Sequence, residues 1–176
     1  MYQIVKQIIK TGIKSEAAPQ PDEAMRAQAQ QLQQRILDVF GHALSIRMVD
    51  AGSCNGCELE IHALNNAYYN LEGLGIKFVA SPRHADMLLV TGPVSRHMEV
   101  ALKRTYDATP DPKLVVAIGD CAFDGGIFSA AEDGSSYACC GKVSGVIPVD
   151  VVVEGCPPTP VAIMQGILTA ISAKAT

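Results

Sequence analysis

The residues that decide the fold run from Leu44 to Ala67. They read Leu44-Ser45-Ile46-Arg47-Met48-Val49, then Asp50-Ala51-Gly52-Ser53-Cys54-Asn55-Gly56-Cys57-Glu58, then Leu59-Glu60-Ile61-His62-Ala63-Leu64-Asn65-Asn66-Ala67. The first segment is a short apolar run of strand length, and the last has helical spacing. Two cysteines separated by two residues therefore sit on a strand-to-helix turn. Open α/β sheets place their ligand sites at such turns, at the carboxyl ends of the strands. The arrangement recurs downstream. Cys121 closes Leu114-Val115-Val116-Ala117-Ile118-Gly119-Asp120, and Cys156 closes Val151-Val152-Val153-Glu154-Gly155.

Working outward, strand signals fall at Leu44–Val49, Ile76–Ala80, Met87–Thr91, Leu114–Ile118 and Val151–Val153, with helical patterns at Glu58–Leu71, Arg96–Tyr106 and Val161–Ala173. Strands that are apolar on both faces and alternate with helices predict a parallel sheet covered on each side, with right-handed crossovers. The expected fold class is α/β: a flavodoxin-like, doubly wound parallel sheet preceded by two N-terminal helices. The first of these places Ile4, Val5, Ile8 and Ile9 on one face and Lys6, Lys10 and Lys14 on the other, a pattern suited to a membrane surface, a partner's groove or its own domain. Ser15–Pro21 reads as a linker. A second helix is capped by Asp22 and ended by Gly41, with Leu32, Ile36, Val39 and Phe40 as its buried stripe. Residues 1–41 thus form an extension and residues 42–176 the domain. Gly125-Gly126 and Asp133-Gly134-Ser135-Ser136 mark a long irregular loop before the last strand.

The totals narrow the function. A chain of 176 residues is the size of one domain with a full core. Its hydrophobic content of 48% is high for a chain with 18% charged residues; some of that apolar surface is expected to face partner subunits. No apolar run approaches the ~20 residues of a membrane span, and no secretory signal is apparent, so a cytosolic location is expected. A net charge of −4 argues against nucleic-acid binding. Six cysteines in such a chain point to metal or redox chemistry rather than disulfides.

In a parallel sheet, Cys54, Cys57, Cys121 and Cys156 converge on one edge from three strand ends. Four thiolates suit a [4Fe–4S] cluster, one sulfur for each iron. A thioredoxin-like dithiol explains Cys54 and Cys57 but leaves the other two idle. A Cys₄ zinc site uses the same ligands, although such sites usually come as two short pairs. A flavin at the same edge rests on fold alone. Cys139 and Cys140, adjacent in the irregular loop, read as thiols outside any cluster. Glu58 favours its helix's dipole or relays protons. His62, His84 and His97 read as ordinary histidines, and Arg83 and Asp86 as an ion pair near the cluster edge.

Taken together, Cys54-Asn55-Gly56-Cys57-Glu58, Ser81-Pro82-Arg83-His84-Ala85-Asp86, Gly119-Asp120-Cys121 with Gly125-Gly126, Pro148-Val149-Asp150 and Gly155-Cys156-Pro157-Pro158 stand in family order. They resemble the small, proximal-cluster subunit shared by energy-converting [NiFe] hydrogenases and respiratory complex I (its 20-kDa, B-type subunit), over roughly Ile46 to Ile171. The resemblance implies one [4Fe–4S] cluster on Cys54, Cys57, Cys121 and Cys156. It also implies an electron-transfer role in an oxidoreductase complex, with no complete active site in this chain. The C-x-x-C pair resembles the formate hydrogenlyase-type, group 4 hydrogenases, whereas complex I members have two adjacent cysteines there. The implied partners are a large catalytic subunit, hydrogenase-type or complex I-type, a ferredoxin-like subunit and membrane-integral subunits. The implied place is the cytoplasmic side of the membrane, held peripherally. If the chain instead resembles complex I in function, its cluster reduces a quinone.

Overall fold

A computed structural model describes residues 2–12, 30, 33–34, 36–38, 40–128 and 137–174. After helix α1 (Tyr2–Thr11) and helical residues between 30 and 40, the domain runs through β1 (Leu44–Asp50), α2 (Gly56–Ala63), β2 (Ile76–Phe78), β3 (Met87–Thr91), β4 (Val94–Ser95) and α3 (Arg96–Ala108). It continues through β5 (Leu114–Ile118), α4 (Asp120–Phe123), β6 (Cys139–Gly141), β7 (Val151–Val153) and α5 (Pro160–Lys174).

Five strands form one sheet in the order β2-β1-β3-β5-β7, every neighbouring pair parallel. This is the flavodoxin-like order that the sequence predicts. The period-2 alternation of each strand sorts its side chains between two cores. On one face Leu44, Ile46, Met87, Leu89, Leu114, Val116, Ile118 and Val153 pack with Ile36, Ile61 of α2 and Ile163, Ile167 and Ile171 of α5. On the other, Val49, Leu88, Val90, Val115 and Ala117 pack with Leu102 of α3, Ala122 of α4, Val143 and Ile147. β3 and β5 are buried along their whole length, as interior strands of a doubly covered sheet must be.

Several boundaries differ from the sequence reading. The helix expected over Glu58–Leu71 stops at Ala63. Asn66 Oδ1 accepts the backbone N–H groups of Tyr68 and Tyr69 at 2.9 Å, a local turn that competes with helix continuation. β2 ends at Phe78 rather than Ala80. The irregular loop contains β6, which pairs antiparallel with β4; Cys139 and Cys140 are therefore strand residues. Asp86 does not pair with Arg83. Its Oδ2 accepts from Ser45 N at 2.9 Å, and its Oδ1 stands 3.8 Å from His42 Nε2, at the amino edge of the sheet, opposite the cysteines. Ile36 is fully buried and Phe40 packs against the core, as expected. Asp22, Leu32, Val39 and the linker at Ser15–Pro21 lie outside the described residues.

Candidate functional site

At the carboxyl edge, the turn after β1 is shaped by Asp50, whose Oδ1 accepts from Gly52 N and Ser53 N, both at 2.8 Å. Asn55 then takes a left-handed conformation, φ 72°, as the residue preceding α2. Cys54 is left exposed before the helix, and Cys57, within its first turn, is tucked into the core at 9% exposure. The turn is tied to β3 by Glu58, which is only 3% exposed. Its Oε1 accepts from both Ser53 Oγ and Thr91 Oγ1, while its Oε2 is buried with no partner.

The turns after β5 and β7 are locked to each other. Asp120 N donates to Gly155 O at 3.0 Å, and Asp120 Oδ1 accepts from Gly155 N at 2.7 Å. Cys121 and Cys156 are thus carried by one doubly bonded unit. Glycine lets this unit approach the first turn. Gly119 has φ +90°, and a Cβ placed on it would lie 2.7 Å from Cys57 Sγ and 3.3 Å from Gly155 O. A Cβ on Gly126, φ +52°, would lie 2.8 Å from Cys121 Sγ. At both places the space that a side chain would fill is held by a thiol.

Cys57 and Cys121 both feel the charge of other thiols. Burial, Glu58 and the thiols of Cys54, Cys121 and Cys156 push Cys57 up from 9.0 to about 12. Burial pushes Cys121 up too, followed by Cys156, Cys54, Asp120 and Asp124. For Cys57 and Cys121, then, burial comes first and nearby negative charge, other thiols included, adds to it. Cys140 stands apart: its Sγ contacts Glu99 Oε2 at 3.4 Å, and burial and Glu99 raise it. His62, His84 and His97 lie on α2, on the turn Pro82–His84 and on α3. Beside the thiols the surface is apolar and uncovered. Phe123, Ile127 and Phe128, just after Cys121, are 45%, 88% and 41% exposed.

The family model described as NADH ubiquinone oxidoreductase, 20 Kd subunit, matches residues 54–170, from the first of these cysteines to the last turns of α5. The chain belongs to this family. Its relatives serve different oxidoreductase complexes. It is 41% identical over 148 residues to the "Probable membrane-bound hydrogenase subunit mbhJ" of Pyrococcus furiosus, covering 82% of this chain and 86% of that one. It is 45% identical over 123 residues to formate hydrogenlyase subunit 7 of Escherichia coli, covering 70% of this chain but only 46% of the longer relative. The B-type subunit of the NADH-quinone oxidoreductase of Desulfovibrio desulfuricans is 43% identical over 130 residues, 73% of this chain and 67% of that one. Among solved structures, a chain of the membrane-bound sulfane sulfur reductase, an archaeal respiratory membrane complex, superposes with a TM-score of 0.65 at 34% identity, covering 78% of this chain and 75% of that one. This family member is accordingly an oxidoreductase-complex subunit of the electron-transfer kind. Among its described residues, no helix is long and apolar enough to cross a membrane.

The cysteines were legible from sequence; their supports were not. Asp50, Ser53, Thr91 and Asp120 hold the thiol-bearing turns, and although Asp50, Ser53 and Asp120 lie in the cysteine stretches, the sequence assigned none of them that role. The available signal was position, since Asp50 and Asp120 each stand where a strand gives way to a cysteine turn.

Proposed function

We propose that the chain carries one [4Fe–4S] cluster on Cys54, Cys57, Cys121 and Cys156, within residues 42–176, and relays electrons to or from a large catalytic subunit. The placing of four thiols on the turns after three neighbouring strands, with the Cys121 and Cys156 turns bonded to each other and Gly119 set against Cys57 Sγ, supports this reading. Such a cluster supplies one-electron transfer at a potential tuned by burial and hydrogen bonding. The donor set fits it. Among the described residues, no three His, Cys, Asp or Glu side chains gather closely enough to hold a single ion. Ligands that each bind a different iron need not gather so closely, whereas a zinc site draws its sulfurs to ~2.3 Å from one point.

The chain's own residues do the holding. Glu58 pins the C-x-x-C turn to β3, and Asp120 joins the Cys121 and Cys156 turns. The apolar rim of Phe123, Ile127 and Phe128 offers a partner subunit a contact beside the thiols. The acceptor favoured here is a nickel–iron site making or consuming hydrogen, because the C-x-x-C spacing and the 86% coverage of the hydrogenase relative agree. A ferredoxin-like subunit would exchange electrons with it and membrane-integral subunits would hold the complex, this chain lying on the cytoplasmic side.

The test is iron, nickel and zinc analysis of the complex captured anaerobically through this chain. Iron with stoichiometric nickel supports the hydrogenase reading. Iron without nickel redirects it to a quinone- or sulfur-reducing relative, and zinc without iron refutes the cluster. Cys121→Ser and Cys156→Ser should each abolish the cluster's paramagnetic signal in the reduced complex.

A further inference from the structure

α1 is a ten-residue helix with no buried residue. Its apolar side chains are uncovered: Tyr2 is 79% exposed, Ile4 63%, Ile8 64% and Ile9 78%. On a helix turning ~100° per residue, Tyr2, Ile4, Val5, Ile8 and Ile9 fill one sector of ~160°. Gln3, Lys6, Gln7, Lys10 and Thr11 fill the rest, without a single exception. The charge is equally one-sided. The first fifteen residues hold Lys6, Lys10 and Lys14 and no acidic residue, in a chain whose net charge is −4. A helix docked within its own domain would bury its apolar stripe, and this one buries none.

We infer that α1 is a membrane-surface anchor, lying in the headgroup region of an anionic bilayer with its apolar sector in the acyl boundary and Lys6 and Lys10 on lipid phosphates. Segregated apolar and lysine-bearing faces on a helix too short to span are the features that this mode of binding needs. The lysines select an anionic lipid surface over a neutral apolar groove, since cations near such a surface add attraction that a groove without acids does not give. The inference rests on the membrane-complex reading for where the chain works, but not on the cluster. It gives a subunit without a membrane-spanning helix among its described residues its own contact with the bilayer.

The test is co-flotation of the full iron-loaded chain with phosphatidylcholine vesicles containing about one-third phosphatidylglycerol, against phosphatidylcholine alone. The parent should float with the anionic vesicles and be released by salt. Lys6→Gln with Lys10→Gln should weaken binding about 25-fold, at about fivefold per lysine. Ile8→Asp should weaken it at least about tenfold. The parent's failure to float, equal flotation on neutral vesicles, or indifference to both variants would overturn the inference. Iron content read on the same samples separates the two questions. Iron without flotation refutes the anchor and leaves the cluster, and flotation without iron does the reverse.

Discussion

Replacing Gly119 by alanine tests how the site is held open. At φ 90° and ψ 159°, a region essentially confined to glycine, a Cβ carries a backbone penalty of about 1–3 kcal/mol. The same Cβ would lie 2.7 Å from Cys57 Sγ, which must retreat by roughly 0.7 Å to reach ordinary contact. It would also lie 3.3 Å from Gly155 O, a backbone atom that cannot swing aside because Asp120 N holds it at 3.0 Å. Overpacking of this kind costs about 1–3 kcal/mol, which gives a total of about 2–6 kcal/mol and a fall in melting temperature of about 4–24 °C for a domain of this size. Because the displaced atom is a proposed ligand, iron per chain should fall with stability. Gly75→Ala is the control: its φ is +79°, but nothing lies within 4 Å of the added Cβ. It should lower the melt by the backbone penalty alone and keep its iron. The measurements are thermal melts and iron stoichiometry of both variants, purified anaerobically. A Gly119→Ala chain with full iron, melting no lower than Gly75→Ala, would refute the argument that glycine there makes room for the thiol.

Glu58→Ala should cost about 1–3 kcal/mol in a denaturant melt, because it removes the acceptor of both the Ser53 and Thr91 hydroxyls and leaves Thr91 only its longer bond to Val49 O at 3.3 Å; Glu58→Gln, which keeps an acceptor oxygen, should cost less. In the metal-free chain, Cys57 stays protonated when folded until about pH 12, whereas the unfolded thiol ionises near 9.0. Stability should therefore be flat with respect to this group below pH 9.0 and decline as pH rises towards about 12, by up to ~1.4 kcal/mol per pH unit. Cys57→Ser should make the alkaline decline shallower in pH-dependent urea melts, leaving the contributions of Cys121 and Cys140. Cys139→Ser and Cys140→Ser should leave iron per chain unchanged, since Cys140 contacts Glu99 rather than the four converging thiols. Asp120→Ala should lower iron retention on dilution, measured by absorbance, because Gly155 N loses the carboxylate that joins the Cys121 and Cys156 turns.

The sheet was readable because its strands announce themselves. Met87–Thr91 and Leu114–Ile118 are unbroken apolar runs, and a strand buried on both faces can be little else. The four thiols were readable because each follows such a run. What escaped was decided by single polar side chains. Asn66 ends α2 early through its own amide oxygen, and nothing in the apolar spacing of residues 58–71 registers that competition. Asp86 chose a backbone N–H across the sheet over the nearby Arg83, a choice set by strand register rather than proximity in sequence. β4 and β6 comprise two and three residues, too short for alternation to show. The exposure of the apolar face of α1 was also beyond the pattern, since an amphipathic period indicates that a face seeks cover without indicating what covers it.

The scattering of the thiols along the chain has a consequence for biogenesis. Cys54 and Cys57 are neighbours from the moment that they are synthesised. Cys121 and Cys156 join them only after β5 has paired with β3 and β7 with β5. Such long-range parallel pairings are the slow part of building a sheet. On the proposed cluster reading, an emerging chain would offer an incoming cluster two corners of its seat, and the complete seat would exist only on a finished sheet. Maturation of the subunit would thereby be conditional on folding: the geometry proposed to accept iron would also be a certificate that the β5 and β7 turns have reached their places.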